Sequence, residues 1–215
     1  QKYIPVDKDQ VMYYREAADG QLLQEGINEA GAFSSWIAAA TSYSTNNRIM
    51  VPFYIYYSMF GFQRIGDLAW AAGDMQARGF LLGGTAGRTT LNGEGLQHED
   101  GHSHVWSASV PNCVSYDPTF AFELAVVIQD GMRRMLDAQD DVYYYITLMN
   151  ENYAHPAMPV GAEKDIIKGM YKLRSVGDAN SKLRVQLLGS GTIFREVIAA
   201  AEVLHAEWGV ASDLW

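Results

Sequence analysis

The sequence predicts an α/β fold in which a parallel sheet is sandwiched by helices, followed by the start of a second α/β domain. Two observations predict it. Short runs of β-branched and aromatic residues alternate along the chain with longer segments whose apolar residues recur at helical spacing. From residue 184 onward, a new pattern of strand, helix and strand begins. Strands that alternate with helices in this way pair in parallel and have helices on both faces.

The first elements are justified by their caps and their apolar spacing. Residues 1–20 carry charged residues without any helical or strand period, so we expect a surface loop. Asn28 is a good N-cap, Glu29 suits a first helical turn, and the apolar residues that follow predict a helix that ends by Asn46. Val51–Tyr57 lacks strict alternation, which predicts a strand covered on both faces.

The central elements follow in the same alternation. An apolar stripe predicts a helix over residues 63–76, and Phe80–Leu82 is typical of a short buried strand. A Gly-rich loop over Gly83–Gly101 comes next. Cys113–Tyr116 and Val142–Leu148 are predicted strands. Between them we expect a helix that Asp117 caps and Pro118 opens.

Four segments describe the predicted domain organisation. We expect the surface loop over 1–20, a main α/β domain over 21–160, a charged linker over 161–183, and the start of a second α/β domain over 184–215. That second domain has only its first elements, and the chain begins at Gln1 rather than Met. We therefore expect a segment of a longer polypeptide.

The composition argues against nucleic acid and membranes as partners of this chain. The 16 Lys and Arg residues against 25 Asp and Glu residues give a net charge of −9, so neither nucleic acid nor an anionic membrane is expected as a partner. No apolar run approaches the roughly 20 residues that span a bilayer, and no signal pattern opens the chain, so we expect a cytoplasmic protein. Cys113 is the single cysteine, and we interpret it as a strand residue rather than a nucleophile.

Candidate site residues lie around the first predicted strand. Glu29 is either a favourable charge in a first helical turn or a carboxylate that meets a ligand, because Gly26 and Ile27 form an apolar turn just before it. Tyr57 and Phe60 are either core aromatics or a surface that stacks on a flat heterocycle, since ligands collect at the carboxyl ends of parallel strands.

The Gly-rich loop holds the densest cluster of titratable groups. Glu94, His98, His102 and His104 are compatible with a solvated loop, with a zinc site, or with an active-site loop that brings one histidine near a substrate. The cluster has no cysteine and no helical i,i+4 pair that a third ligand elsewhere would complete, so we predict no metal ligands in this chain. Gly189-Ser190-Gly191 is a weak match to half of a dinucleotide-binding fingerprint.

Three ordered motifs give the chain a family resemblance. Gly26–Glu29 has the form G-I-x-E, Ser58–Arg64 contains Phe60 at a strand end, and Glu94–His98 has the form acidic-G-x-x-H. Together they resemble the pyrimidine-binding domain of the thiamin diphosphate superfamily that includes transketolase. Three further stretches, Thr41–Asn47, Pro52–Asp67 and Leu91–His104, are very similar to the homodimeric bacterial pyruvate dehydrogenases, the decarboxylating first components of their complex.

This resemblance implies a role for each matching residue. Glu29 is expected to hydrogen-bond the aminopyrimidine in an apolar setting, with Phe60 stacked on the ring and Tyr57 and Ile27 lining the same pocket. His98, with Glu94 as a second carboxylate, is expected on the substrate side of the cofactor.

The resemblance also implies partners and a missing half of the site. The family's diphosphate and magnesium motif is absent, because Gln129-Asp130-Gly131 lacks its first glycine. Mg²⁺ and diphosphate ligands are therefore expected from another domain, contributed by the second subunit of a homodimer. Pyruvate, lipoamide and a dihydrolipoyl acetyltransferase are the implied substrates and partner. Another 2-oxo acid decarboxylase, a ketol transferase and a non-catalytic assembly domain remain alternatives.

Overall fold

A computed structural model describes residues 18–87 and 95–215. Its first elements are helices α1 (Glu29–Ala40) and α2 (Ser42–Thr45), strand β1 (Phe53–Tyr57), helix α3 (Phe62–Asp74) and strand β2 (Phe80–Gly84). The central elements are helix α4 (Ser103–Ser107), strand β3 (Cys113–Tyr116), helix α5 (Ala121–Met132) and strand β4 (Tyr143–Thr147). The last elements are helix α6 (Glu163–Ile167), strands β5 (Arg174–Val176) and β6 (Arg184–Leu187), helix α7 (Phe194–Trp208) and strand β7 (Ala211–Leu214).

The first sheet has the strand order β1-β2-β4-β3, and every pairing in it is parallel. Alternate residues along each strand point to opposite faces. On one face, Leu81 and Tyr145 pack against Phe33 and Trp36 of α1. On the other, Ile146 packs in a cluster with Val127 of α5. The predicted parallel sheet sandwiched by helices is therefore confirmed.

β1 differs from the prediction because one of its faces is not covered. Phe53, Ile55 and Tyr57 are exposed, with Ile55 at 69%. The intervening residue Tyr56 is buried. Among the residues that the structure describes, β1 has β2 as its strand neighbour and lies at the sheet edge. Every residue of this run is apolar or aromatic, so the sequence did not show which face of β1 would be exposed.

The helix after β3 begins later than predicted. Asp117 and Pro118 precede it, and α5 starts at Ala121. A side chain of the helix itself stabilises its start, because the backbone N–H of Thr119 donates to Oε2 of Glu123 at 2.7 Å. Asp117 is thereby left for contacts elsewhere. Cys113 lies in β3 as predicted, and burial raises the pKa of its thiol to about 12.

The second sheet has the strand order β5-β7-β6, with β5 antiparallel and β6 parallel to β7. β5 and α6 both lie within the stretch 161–183 that the sequence suggested as a charged linker. A positive charge of this stretch helps to hold the second sheet together, because Lys172 pairs with the carboxylate of Asp213 in β7. Arg184 of β6 pairs with the same carboxylate. No helix in residues 18–87 or 95–215 has the length and apolar character to cross a bilayer.

Candidate functional site

The carboxyl end of β1 brings together elements that are far apart in the sequence. α1 begins there, and its N-cap Asn28 accepts a hydrogen bond from the backbone N–H of Gly31 at 3.1 Å. A 3-10 turn, Ser58–Phe60, follows β1 directly, and a second one, Leu96–His98, approaches from the Gly-rich loop. These local signals place Glu29, Phe60 and His98 at the edge of the sheet where ligands of open α/β folds bind.

Glu29 forms an ion pair at this edge. A guanidinium nitrogen of Arg64 donates to Oε1 of Glu29 at 3.0 Å, with 17% of the Glu29 side chain and 51% of the Arg64 side chain exposed. The same guanidinium lies 4.3 Å from the centre of the Phe60 ring. Arg64 is thus a pairing partner of Glu29. The setting of Glu29 is mixed rather than apolar, because the cation of α3 lies against its carboxylate.

The carboxylate of Glu29 also affects the pKa of the neighbouring Tyr54. Burial, followed by the negative charges of Glu29 and Glu25, raises the pKa of Tyr54 to about 12. Tyr54 therefore stays neutral near pH 7 and presents a hydroxyl rather than a second anion.

Three rings form an aromatic cluster, defined by Tyr57, Phe60 and His98. The ring centres of His98 lie 5.5 Å from Phe60 and 5.8 Å from Tyr57, and those of Tyr57 and Phe60 lie 6.1 Å apart. Tyr57 is 44% exposed, so part of its face is open to a ligand. Ile27 lies just before the N-cap and is 98% exposed.

The titratable residues that the sequence placed in one Gly-rich loop do not form a single cluster. Glu94 lies outside the described residues. His98 belongs to the aromatic cluster, whereas Nε2 of His102 lies 3.0 Å from the side-chain amide of Gln63. His104 bonds to hydroxyls of the sheet. Within residues 18–87 and 95–215, no three His, Cys, Asp or Glu side chains are placed to hold a metal ion.

Asp100 is a site residue that the sequence reasoning missed. Its Oδ1 accepts from the backbone N–H groups of His102 and Ser103, each at 3.1 Å, and the hydroxyl of Tyr145 lies 3.4 Å from Oδ2. Burial raises the pKa of Asp100, but the hydrogen bonds from Ser103 and His102 outweigh it and hold that pKa below its usual value. An Asp three residues before Ser103, at the start of α4, is the capping signal that would have found it.

A second group of missed residues lies at the ends of β3 and β4. Nδ1 of His104 is 2.9 Å from the hydroxyl of Ser115, and Nε2 is 3.2 Å from that of Thr147. Thr147 donates to Oδ1 of Asp117 at 2.6 Å, and Ser190 donates to Oδ2 at 2.7 Å. Burial lowers the pKa of His104, although the nearby charges of Asp117 and Asp100 oppose that shift.

A cavity of about 310 Å³ lies between the loop that follows His98 and the loop that opens α7. Its polar lining includes Asp100, His102, His104, Asp117 and Thr192. Ser190 and Gly191 also line this cavity, and both donate hydrogen bonds to Asp117. The segment that resembled half of a dinucleotide fingerprint thus contacts Asp117.

Comparisons with known proteins agree with the resemblance. A family model described as the pyruvate dehydrogenase E1 component middle domain matches residues 1–156. The pyruvate dehydrogenase E1 component of Cupriavidus necator is 72% identical over all of this chain, and that of Escherichia coli K12 is 66% identical. The chain spans 24% of the length of each.

Solved structures support the fold. A transketolase from Campylobacter jejuni superposes with a TM-score of 0.68 at 18% identity, over 88% of this chain and 27% of that one. At this identity, the similarity concerns the α/β architecture alone.

Proposed function

Since this chain belongs to the pyruvate dehydrogenase E1 component middle-domain family, we propose that it forms the aminopyrimidine-binding half of a thiamin diphosphate site. The complete protein would decarboxylate pyruvate and transfer the acetyl group to lipoamide. The observation that carries the proposal is the position of Glu29, whose largely covered carboxylate lies against Arg64, while Arg64 covers the Phe60 ring beside His98.

The residues at this edge fit an aminopyrimidine. Such a ring offers a flat face and a basic nitrogen, and the edge offers open aromatic surface and a carboxylate. Thiamin diphosphate, when bound, supplies the electron sink that decarboxylation of a 2-oxo acid requires. Glu29, Ile27, Tyr57 and Phe60 are the residues that we assign to holding its pyrimidine.

Glu29 would share a proton with the ring nitrogen. Arg64 donates to Oε1, so we assign Oε2 to the ligand. A carboxylate that accepts a hydrogen bond from a protonated ring nitrogen favours that protonated form. Arg64 holds the carboxylate in place, and the half-buried, neutral Tyr54 adds no competing negative charge on that side. The role of Glu29 is therefore proton sharing at a fixed position.

The aromatic cluster would supply shape and a proton carrier. Phe60 and Tyr57 present ring faces for stacking, and Ile27 would lie against the ligand from the turn before α1. His98 is edge-on to both rings, which orients its imidazole. We assign to His98 proton movements on the substrate side, with Glu94 as the second carboxylate.

Further parts of the proposal concern groups outside this chain. Mg²⁺ and the diphosphate would be held by another domain, because Asp130 of the incomplete motif lies in α5 and pairs with Arg133. We propose a cytoplasmic homodimer that serves a dihydrolipoyl acetyltransferase. The exposed apolar face of β1 supports a subunit contact, since apolar surface beside a site commonly marks an interface. Residues 21–160 would be the pyrimidine-binding domain.

The test uses the complete polypeptide that contains this chain. Thiamin diphosphate and Mg²⁺ are added, and release of carbon dioxide is measured from pyruvate and from longer 2-oxo acids. With ketose phosphates, transfer of the two-carbon ketol group to an aldose acceptor is measured instead. Preference for pyruvate supports the proposal. Preference for another substrate would replace it with a different thiamin enzyme, and failure to bind thiamin diphosphate in equilibrium dialysis would leave the assembly role.

A further inference from the structure

A chain of hydrogen-bonded side chains links the two sheets, and we call it the Asp117 network. It runs from Ser190, in the loop before α7, to Asp117, then to Thr147 at the end of β4, to His104 in α4, and to Ser115 in β3. Each step is between 2.6 and 3.2 Å. None of these residues has a role in the proposed chemistry.

The network has a defined direction. The Thr147 hydroxyl lies 2.6 Å from Oδ1 of Asp117 and 3.3 Å from the carbonyl of Tyr116, so its proton goes to the carboxylate, the stronger acceptor. The Thr147 oxygen then accepts from Nε2–H of His104. Nδ1 is left to accept from Ser115. Asp117 thereby fixes the tautomer and the ring orientation of His104.

Close packing fixes the second sheet's side of the network. The backbone N–H of Gly191 donates to the carbonyl of Asp117 at 3.3 Å. Gly191 has a φ of +57°, and a Cβ at this position would lie 3.0 Å from Oδ2 of Asp117 and 3.0 Å from Cε of Met149. The loop therefore approaches Asp117 as closely as a glycine allows.

The other end of the network leads to His98. The segment from Gly95 to His104 is short and internally bonded, with a 3-10 turn at Leu96–His98 and the Asp100 hydrogen bonds to His102 and Ser103. A displacement of His104 would therefore be transmitted along this segment toward His98. The neighbouring cavity of about 310 Å³ leaves room for such a displacement.

We propose that Asp117 is a positioning residue that acts through Thr147 and His104 on His98, so that the loop before α7 in the second sheet sets the geometry of the candidate site. The inference rests on the proposed function for its effect on turnover. It assigns to the second sheet a part in the chemistry of the first.

The first test compares Thr147→Val with Thr147→Ser in the complete polypeptide. Valine keeps the volume and removes the hydroxyl, whereas serine keeps the hydroxyl. We expect Thr147→Val to lower kcat about tenfold, since small displacements of a reacting group have effects of this order. Thr147→Ser should stay within twofold of the wild type, and the apparent Kd for thiamin diphosphate should change less than twofold in both. Equal kcat values for the two variants would overturn the inference.

The second test is a double-mutant cycle with His98→Ala. If Thr147 acts through His98, Thr147→Val lowers kcat in the wild-type background and causes no further loss beside His98→Ala. A merely structural role would give the same fold-loss in both backgrounds, and this result would refute the coupling. Ser190→Ala, in an exposed loop that tolerates the change, should lower kcat about threefold, and Ser190→Thr should restore it.

A third measurement does not depend on turnover. Carbethoxylation of His98 by diethyl pyrocarbonate, followed by peptide mass spectrometry, should become several-fold faster in Ser190→Ala and Thr147→Val. Asp130→Asn, which removes a carboxylate from α5 outside the network, is the control and should leave the rate unchanged. An unchanged His98 rate in the network variants contradicts the positioning role. If the rate changes while no variant, nor the wild type, decarboxylates pyruvate, the positioning stands and the proposed function fails.

Discussion

The carboxyl end of β1 and the carboxyl ends of β3 and β4 lie along the same edge of one parallel sheet, but they differ in how far their side chains are exposed to solvent. At β1, Tyr57 is exposed and the Glu29–Arg64 ion pair reaches solvent through its arginine. At β4, Thr147 is buried and its hydroxyl contacts both His104 and Asp117.

These two regions show two different roles for polar side chains at a sheet edge. Polar groups that contact one another within the chain give rigidity, because a buried group left without a partner is costly. Polar and aromatic groups that remain accessible at a sheet edge are suited to a ligand or a second chain. By this criterion the end of β1 is the better candidate for the ligand site, and the ends of β3 and β4 are suited to support it.

The largest expected effect contrasts the two faces of the sheet. Ile146→Ala in β4 removes a fully buried side chain from the packed face and should lower the free energy of unfolding by about 2–5 kcal/mol. Ile55→Ala on the exposed face of β1 should change it by less than about 0.5 kcal/mol wherever that face is uncovered, and the proposed subunit contact would increase the loss. Hydrogen exchange of the β4 amides in the complete polypeptide measures both. Equal losses would show that the β1 face is packed.

Glu29→Gln is expected to affect chemistry without affecting stability. Loss of the proton-sharing carboxylate should lower the turnover of pyruvate by about 10²-fold, the usual effect of a positioned acid or base. Glu25→Gln is the matched control, since Glu25 also lies near Tyr54 but accepts from Ser35. Near-normal turnover in Glu29→Gln, measured as carbon dioxide release, would exclude the role.

Phe60→Leu tests whether the open aromatic surface binds a ring. Leucine keeps apolar volume but loses stacking, so the Kd for thiamin diphosphate should rise about fivefold. Phe53→Leu is the control, because Phe53 stacks on Phe80 at the opposite end of β1. Isothermal titration of both variants decides the point, and equal affinities would remove Phe60 from the site.

The smallest effect concerns the pH dependence of the supporting region. The folded pKa of Asp100 lies below its unfolded value, so the stability it contributes is present above about pH 4 and is lost as the pH falls through the folded pKa. Asp100→Asn should cost about 1 kcal/mol at pH 7, and the gap to the wild type should narrow as the pH drops toward 3. Urea unfolding at several pH values measures it. A gap that widens toward low pH would contradict the assignment.

Part of the site followed from sequence because its signals are local. Asn28 and Glu29 mark a helix start by cap chemistry alone, and α1 begins at Glu29. The end of α7 also follows a local signal, because the helix stops at Gly209, which adopts the left-handed conformation. The start of α5 did not follow, since Glu123 stabilises the first turn in place of Asp117.

By itself, the sequence determined the strand and helix alternation, the parallel sheet and the family, because periodicity, caps and short motifs act over a few residues. Tertiary structure decided which face of β1 is covered, that Arg64 of α3 neutralises Glu29 of α1, and that Asp117 joins the two sheets. These contacts connect residues 35 and 73 positions apart. No local pattern encodes them, since they depend on how the packed elements bring distant side chains within hydrogen-bond distance.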